Sequence, residues 1–139
     1  MTPEEILLVQ ETFDVLQPRS TAVAERFYQH LFAADPTMRS RFPEDMRGQY
    51  SMFMAVINTA VNGLWHPDAL VPILQQLGQR HVGYGTQTTD YDLVGEALLQ
   101  TLRHYLGTQF TAELEAAWTA AYSFIATTMQ AGADRHSGK

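Results

Sequence analysis

One histidine stands where a polar side chain is expensive. In the stretch Leu70-Val71-Pro72-Ile73-Leu74-Gln75-Gln76-Leu77-Gly78-Gln79-Arg80-His81, the leucines Leu70, Leu74 and Leu77 recur at helical spacing, and His81 continues their row four residues on. The imidazole therefore points where the leucines point, into the interior. Burying it costs free energy unless both ring nitrogens find partners. Two readings meet that demand. One is a core histidine that is hydrogen-bonded on both sides. The other is a metal ligand, with one nitrogen on the metal and the other bonded to a backbone carbonyl on the preceding turn. The remaining four histidines carry no such signal. His30 and His104 fall among polar neighbours on helix faces, His66 lies in a turn and His136 in the tail, and all four read as solvated surface.

Helices must position this residue, because helix signals are plentiful and strand signals nearly absent. Thr2-Pro3-Glu4-Glu5 combines a cap, a proline at the first helical position and a glutamate three residues after the cap. It opens a helix to about Leu16, ended by Gln17-Pro18. A second helix is expected from about Ser20 to Ala33, and Asp35-Pro36 starts a short one ending near Phe42-Pro43. From about Met46 to Leu64 a longer helix carries Met46, Gln49, Phe53, Val56 and Ala60 on one side. Pro67 and Asp68 open the segment bearing His81, which Gly83 and Gly85 end. Asp90 is the expected cap of a helix reaching Leu106-Gly107. Thr111 caps a last helix whose inner row is Leu114, Trp118, Tyr122, Ile125 and Met129, and residues from about 131 to 139 are expected to fray. The pattern is all-α, with about six to eight helices of unequal length and proline-marked corners. It fits a helical sandwich, and periodicity alone would also permit an ordinary six-helix bundle.

Bulk properties narrow the function classes. The 139 residues suit a single domain with its own core, and 45% hydrophobic residues exclude disorder as the main description. A formal charge of −6, with only nine lysines and arginines, argues against nucleic acid or an anionic membrane as partner. With no cysteine, disulfides, thiolate metal sites and thiol catalysis are excluded. The acidic start Met1-Thr2-Pro3-Glu4-Glu5 lacks the basic region of a secretory signal, and no apolar run is long enough to span a bilayer. A soluble cytoplasmic protein is expected.

From Leu77 to Leu99 the chain reads Leu-Gly-Gln-Arg-His-Val-Gly-Tyr-Gly, then a short linker, then Asp-Tyr-Asp-Leu-Val-Gly-Glu-Ala-Leu-Leu. This resembles the proximal half of bacterial haemoglobins, specifically the globin domain of flavohaemoglobins and its single-domain relatives. Arg26-Phe27-Tyr28-Gln29-His30-Leu31-Phe32, followed by Asp35-Pro36 and Arg41-Phe42, is similar to the distal half of the same family. The resemblance covers nearly the whole chain and implies one globin domain over 1–139. It implies haem b (iron protoporphyrin IX) as cofactor, with His81 as the axial ligand of its iron.

The same resemblance assigns the surrounding residues. Tyr28 matches the tyrosine placed over the distal face, where its hydroxyl donates to iron-bound dioxygen far more than to carbon monoxide; a packed core tyrosine is the alternative. Gln49 is in register with a distal glutamine that donates to the ligand or to the Tyr28 oxygen, and Met52 competes for that position because the Pro43–Gly48 loop varies in length. Phe53, one turn on, would restrict the space above iron. Phe42 matches the phenylalanine packed flat on the ring, with Pro43 fixing the corner. Leu77 and Val94 would line the proximal side, and Arg80 would either reach a propionate or remain surface. Tyr91 matches a proximal tyrosine that the family links to the axial histidine and a late glutamate. Here Ala133 falls at the glutamate position, with Asp134 adjacent, which implies weaker push toward O–O cleavage.

Three functions follow as expectations. The first is reversible binding of dioxygen, and of nitric oxide and carbon monoxide, for transport or storage. The second is a nitric oxide dioxygenase giving nitrate and ferric haem. Because no glycine-rich dinucleotide motif is present, it would need a separate reductase as partner. The third is a structural or sensory helical domain without haem, which leaves no reason for His81, Tyr28 and Phe42 to stand in register.

Overall fold

The computed structural model describes the backbone of residues 1–138 and the side chains of residues 1–134. Among them are six α-helices: α1 Pro3–Leu16, α2 Ser20–Ala34, α3 Arg47–Gly63, α4 Pro67–Gly83, α5 Thr88–Leu106 and α6 Ala112–Gly138. Short 3₁₀ turns at Gln17–Arg19, Pro36–Arg41 and Gly107–Gln109 make the corners. Local chemistry sets the ends as expected at several of them. Thr2 and Glu5 close a reciprocal capping box on α1, with bonds of 2.9 and 3.1 Å. Thr111 Oγ1 accepts from the Leu114 N–H at 3.2 Å to start α6. Gly107, at φ +55°, ends α5 in a conformation that a side chain would strain. At the start of α5 the expected cap is displaced. Gln87 is the N-cap, and Asp90 sits in the first turn, its carboxylate accepting from the Gln87 N–H at 2.8 Å. A carboxylate at the third helical position performs the same neutralisation from inside the helix, so sequence alone does not separate the two placements.

α6 packs most extensively on α4 and also on α1 and α5, while α2 crosses α3 and α5. Val9, Phe27, Leu70, Leu74 and Leu102 are almost fully buried, so the leucine row that leads to His81 is indeed an interior row as far as Leu74. No helix among the described residues is long and apolar enough to cross a membrane.

Two glycines make the α4–α6 contact possible. A Cβ at Gly78 would stand 1.9 Å from the Met129 carbonyl oxygen, and one at Gly132 would stand 2.3 Å from that of Gln75. Each helix thus presents bare backbone to the other. Gly132 is buried at residue 132, where fraying was expected, because α6 continues past Met129 to complete this crossing. The Gly78 obstacle is backbone, which cannot swing aside. Gly78→Ala is therefore expected to cost about 3 kcal/mol and lower the melting temperature by roughly 10 °C. Thermal unfolding followed by circular dichroism checks this, and a change under about 2 °C would mean that α4 and α6 separate easily.

α3 and α4 are joined by a short turn, where Gly63 lies against Leu70, and they share few other contacts. Gln49, near the start of α3, and His81, near the end of α4, stand equally far from that turn, about 21 Å along each axis at 1.5 Å per residue. Both residues therefore lie at the ends of their helices away from the turn.

Candidate functional site

His81 is half-buried, and its Nδ1–H donates to the Leu77 carbonyl one turn back at 2.8 Å. A carbonyl only accepts, so the proton is on Nδ1 and the lone pair of the neutral ring is on Nε2. Burial lowers the pKa of the imidazole and outweighs the opposing effect of the Leu77 bond, which favours this neutral form. The ring of Tyr84 meets it edge-on at 5.3 Å, while Tyr84 itself is largely exposed. Thr86 N–H returns to the His81 carbonyl at 3.1 Å, so the corner after α4 is anchored on the same residue.

Tyr28 lies in the middle of α2 and is 5% exposed. Five aromatic rings surround it, those of Phe27, Phe32, Phe42, Tyr50 and Phe53, at centroid distances of 5.0, 5.7, 5.4, 5.8 and 5.6 Å. Phe53 stacks on Phe27 at 4.1 Å, which fixes α3 against α2 at this level. Gln49 Nε2–H donates to the Tyr28 hydroxyl oxygen at 2.9 Å. Met52, the competitor for that place, is 60% exposed and points away. Burial pushes the Tyr28 phenol up to about 12, against a smaller lowering by Gln49, with Tyr50 adding to the rise. It is a neutral O–H at any ordinary pH. Its oxygen is an acceptor to Gln49, and among the described residues no acceptor is found for its own proton.

The other expected site residues are less uniform. Leu77 and Val94 are partly buried and packed on the core, as are Phe42 and Phe53. Arg80 is exposed and makes no ion pair among the described residues, compatible with either of its readings. Tyr91 is buried, and its carbonyl accepts from the Tyr122 hydroxyl at 2.6 Å. Burial first, then the nearby negative charge of Asp134, raises the Tyr91 phenol. Asp134 is thus the carboxylate that Tyr91 senses.

Sequence reading missed several features. His30 is not a solvated surface residue. It is half-buried beside Arg26, whose Nη2 donates to His104 Nδ1 at 2.7 Å, and burial followed by these two neighbours lowers its pKa. His66 and His104 are exposed as expected, and the His136 side chain lies outside the described residues. Tyr50 was not singled out because it adjoins Gln49 on the helix and only the packing of α2 reveals that it faces Tyr28. An ion pair between Arg41 and Asp90 was also missed, since the partners are far apart in sequence.

The residues fit an iron porphyrin. One neutral histidine offers a free Nε2 lone pair beside the Tyr84 ring, and the phenol, ringed by five aromatic side chains, offers a free proton. No cluster of three or more histidine, aspartate or glutamate side chains able to hold a bare metal ion exists among the described residues. A lone histidine is thus suited to an ion whose other ligands come with the cofactor.

Comparison with known proteins agrees. The globin family model matches residues 25–129. A flavohaemoprotein of Vibrio cholerae is 30% identical over 91% of this chain and 33% of its own length, and one of Bordetella parapertussis is 31% identical over 91% and 32%. The chain therefore spans about a third of the length of the curated relatives it matches. Among solved structures, a bacterial globin of Campylobacter jejuni superposes with a TM-score of 0.88 at 20% identity, covering 99% of this chain and all of the other. An engineered carbene transferase from Rhodothermus marinus superposes with a TM-score of 0.85 at 26% identity, covering 97% and 94%. With the match extending over most of its length, from the helix that bears Tyr28 to the last, this chain belongs to the globin family.

Proposed function

We propose that this chain holds haem b through His81 and binds diatomic gases beneath Tyr28 and Gln49, acting in the cytoplasm as an oxygen-binding protein. The bound haem supplies a redox-active iron able to take dioxygen, nitric oxide or carbon monoxide. The protein supplies everything that discriminates among them. Phe42, Phe53, Leu77 and Val94 make apolar walls that exclude water, Tyr91 closes the proximal side, and Arg80 is placed to reach a propionate.

The direction of the Gln49–Tyr28 bond carries this reading. Because the amide donates and the phenol accepts, the phenol keeps its own proton for a negatively polarised ligand. A bond to a charged acceptor contributes about 1.5–3 kcal/mol, whereas a weakly polarised ligand gains little. Gln49 holds the Tyr28 oxygen in place and polarises the O–H at the same time.

A second reading uses the same residues. A phenol donor held and polarised by Gln49 favours retention over delivery, which suits a nitric oxide dioxygenase fed by a separate reductase. The Rhodothermus marinus protein is named as a candidate nitric oxide dioxygenase, and the curated relatives are flavohaemoproteins, which supports this reading by analogy. The dioxygen dissociation rate of the ferrous protein, measured by stopped flow, separates the two. Slow release supports retention for reaction, and fast release supports a carrier. Failure to form a dioxygen complex would end both.

A further inference from the structure

Arg41 and Asp90 join two parts of the chain that otherwise touch little. Arg41 is the last residue of the Pro36–Arg41 turn, directly before Phe42, and that turn packs chiefly on α2. Asp90 lies in the first turn of α5, directly before Tyr91 and just beyond the corner that follows His81. The Arg41 Nη1 to Asp90 Oδ2 distance is 2.7 Å, and the side chains are 34% and 9% exposed. The same Oδ2 accepts the Gln87 N–H at 2.8 Å, so the carboxylate is held from its own side before Arg41 reaches it.

The opposite end is equally fixed. Arg39, two residues before Arg41, donates to the carbonyls of Phe42, Pro43 and Glu44 at 3.3, 3.0 and 3.1 Å. Its guanidinium also lies over the Phe32 ring at 5.6 Å. The Phe42 corner is thus tied together by Arg39, and Arg41 connects it to the α4–α5 corner. Burial raises the Asp90 carboxyl, but the Gln87 bond and then the bond and charge of Arg41 outweigh it and leave the group below the usual carboxylate range.

An ion pair with one mostly buried partner is a poor source of stability, because desolvation offsets much of the attraction. What it supplies is a fixed separation between two segments. Here one segment carries Phe42, on the Tyr28 side, and the other leads back to His81. We propose that Arg41 and Asp90 are a positioning pair that clasps the rim of the haem slot, holding the Phe42 corner to the α4–α5 corner so that haem leaves only when the clasp opens. This rests on the haem reading above.

The test is haem transfer from the ferric holoprotein to an excess of a tighter-binding apoglobin, followed in the Soret band. Arg41→Gln is expected to speed haem loss roughly tenfold, and Arg41→Lys, which keeps the charge but not the fork, by less. The haem-free Arg41→Gln protein should melt within about 2 °C of the unaltered haem-free protein, because the pair bridges a slot that haem fills. Asp90→Asn, which leaves an oxygen for the Gln87 N–H, should speed loss to a similar degree and serves if Arg41→Gln does not fold. Haem loss unchanged in both variants would overturn the clasp alone. So would a fall in haem-free melting temperature matching that of the holoprotein, since the pair would then be ordinary fold stabilisation. If the unaltered protein takes up no stoichiometric haem, the haem reading itself fails, and the clasp with it.

Discussion

Replacing His81 by alanine is expected to abolish stoichiometric haem retention while leaving the helical domain folded. The two halves of this expectation have separate grounds. Of the two His81 ring nitrogens only Nε2 is open to a ligand, because Nδ1 is committed to the Leu77 carbonyl, and no cluster of three or more other ligating side chains stands ready among the described residues. The fold does not depend on it, because α4 is anchored by the buried Leu70 and Leu74 and held to α6 by the close approaches at Gly78 and Gly132 rather than by a half-buried ring near its end. The loss to the apoprotein is one hydrogen bond, about 1 kcal/mol, or a few degrees in melting temperature. A haem titration in the Soret band, with circular dichroism alongside, checks both halves. Added imidazole should restore a ligated spectrum if the cavity left by the side chain admits it. Full haem content in His81→Ala without imidazole would remove His81 from its role.

Tyr28→Phe should accelerate dioxygen dissociation about ten- to a hundredfold while changing carbon monoxide dissociation by less than about threefold. The range is that of a hydrogen bond to a charged acceptor, about 1.5–3 kcal/mol, read as a rate at about 1.4 kcal/mol per tenfold. The phenyl ring keeps the aromatic contacts with Phe27, Phe42 and Phe53, so packing is conserved and the hydroxyl is isolated as the variable. Gln49 loses its acceptor in the variant and becomes free to donate to the ligand itself, which would hold the effect toward the lower end. Ligand dissociation by stopped flow for both gases is the measurement. Equal acceleration of the two would make Tyr28 a packing residue and leave the pocket without polar discrimination.

Most of the fold was legible because local signals agreed with one another. The capping box at Thr2 and Glu5, the prolines at the starts of α1 and α4 and the Thr111 cap each act within one turn, and the structure places them where the residues indicated. Asp90 shows the limit of that reasoning. A carboxylate in the cap and one in the first turn answer the same unpaired N–H groups, so only the backbone path through Gln87 separates them. The last helix was read as too short for a similar reason. Small residues around Ala131 and Gly132 look like fraying when no partner is in view, and Gly132 is buried only because Gln75 comes within contact of it.

In the site, His81 was legible because a polar residue broke an apolar row, and its bond to the preceding turn follows from helix geometry alone. The choice between Gln49 and Met52 was not, because both can be reached by shifting a loop of uncertain length. The structure settles which of them meets Tyr28, since one bonds the phenol and the other is exposed. His30 was misjudged because its neighbours in sequence are polar while its neighbours in space, Arg26 and His104, come partly from another helix.

By itself, then, the sequence determined whatever depends on spacing within one helix: the all-helical class, the element order, the half-buried histidine at the end of the leucine row and the bond behind it. Tertiary structure alone decided which residues meet across helices: the donor that holds Tyr28, the glycine crossing that lets α4 lie on α6, and the ion pair between Arg41 and Asp90. The physical reason is range. Helix periodicity and capping act within about one turn, so they are written in neighbouring residues. Contacts between helices depend on how whole elements pack, and no local pattern records the partner on the other side.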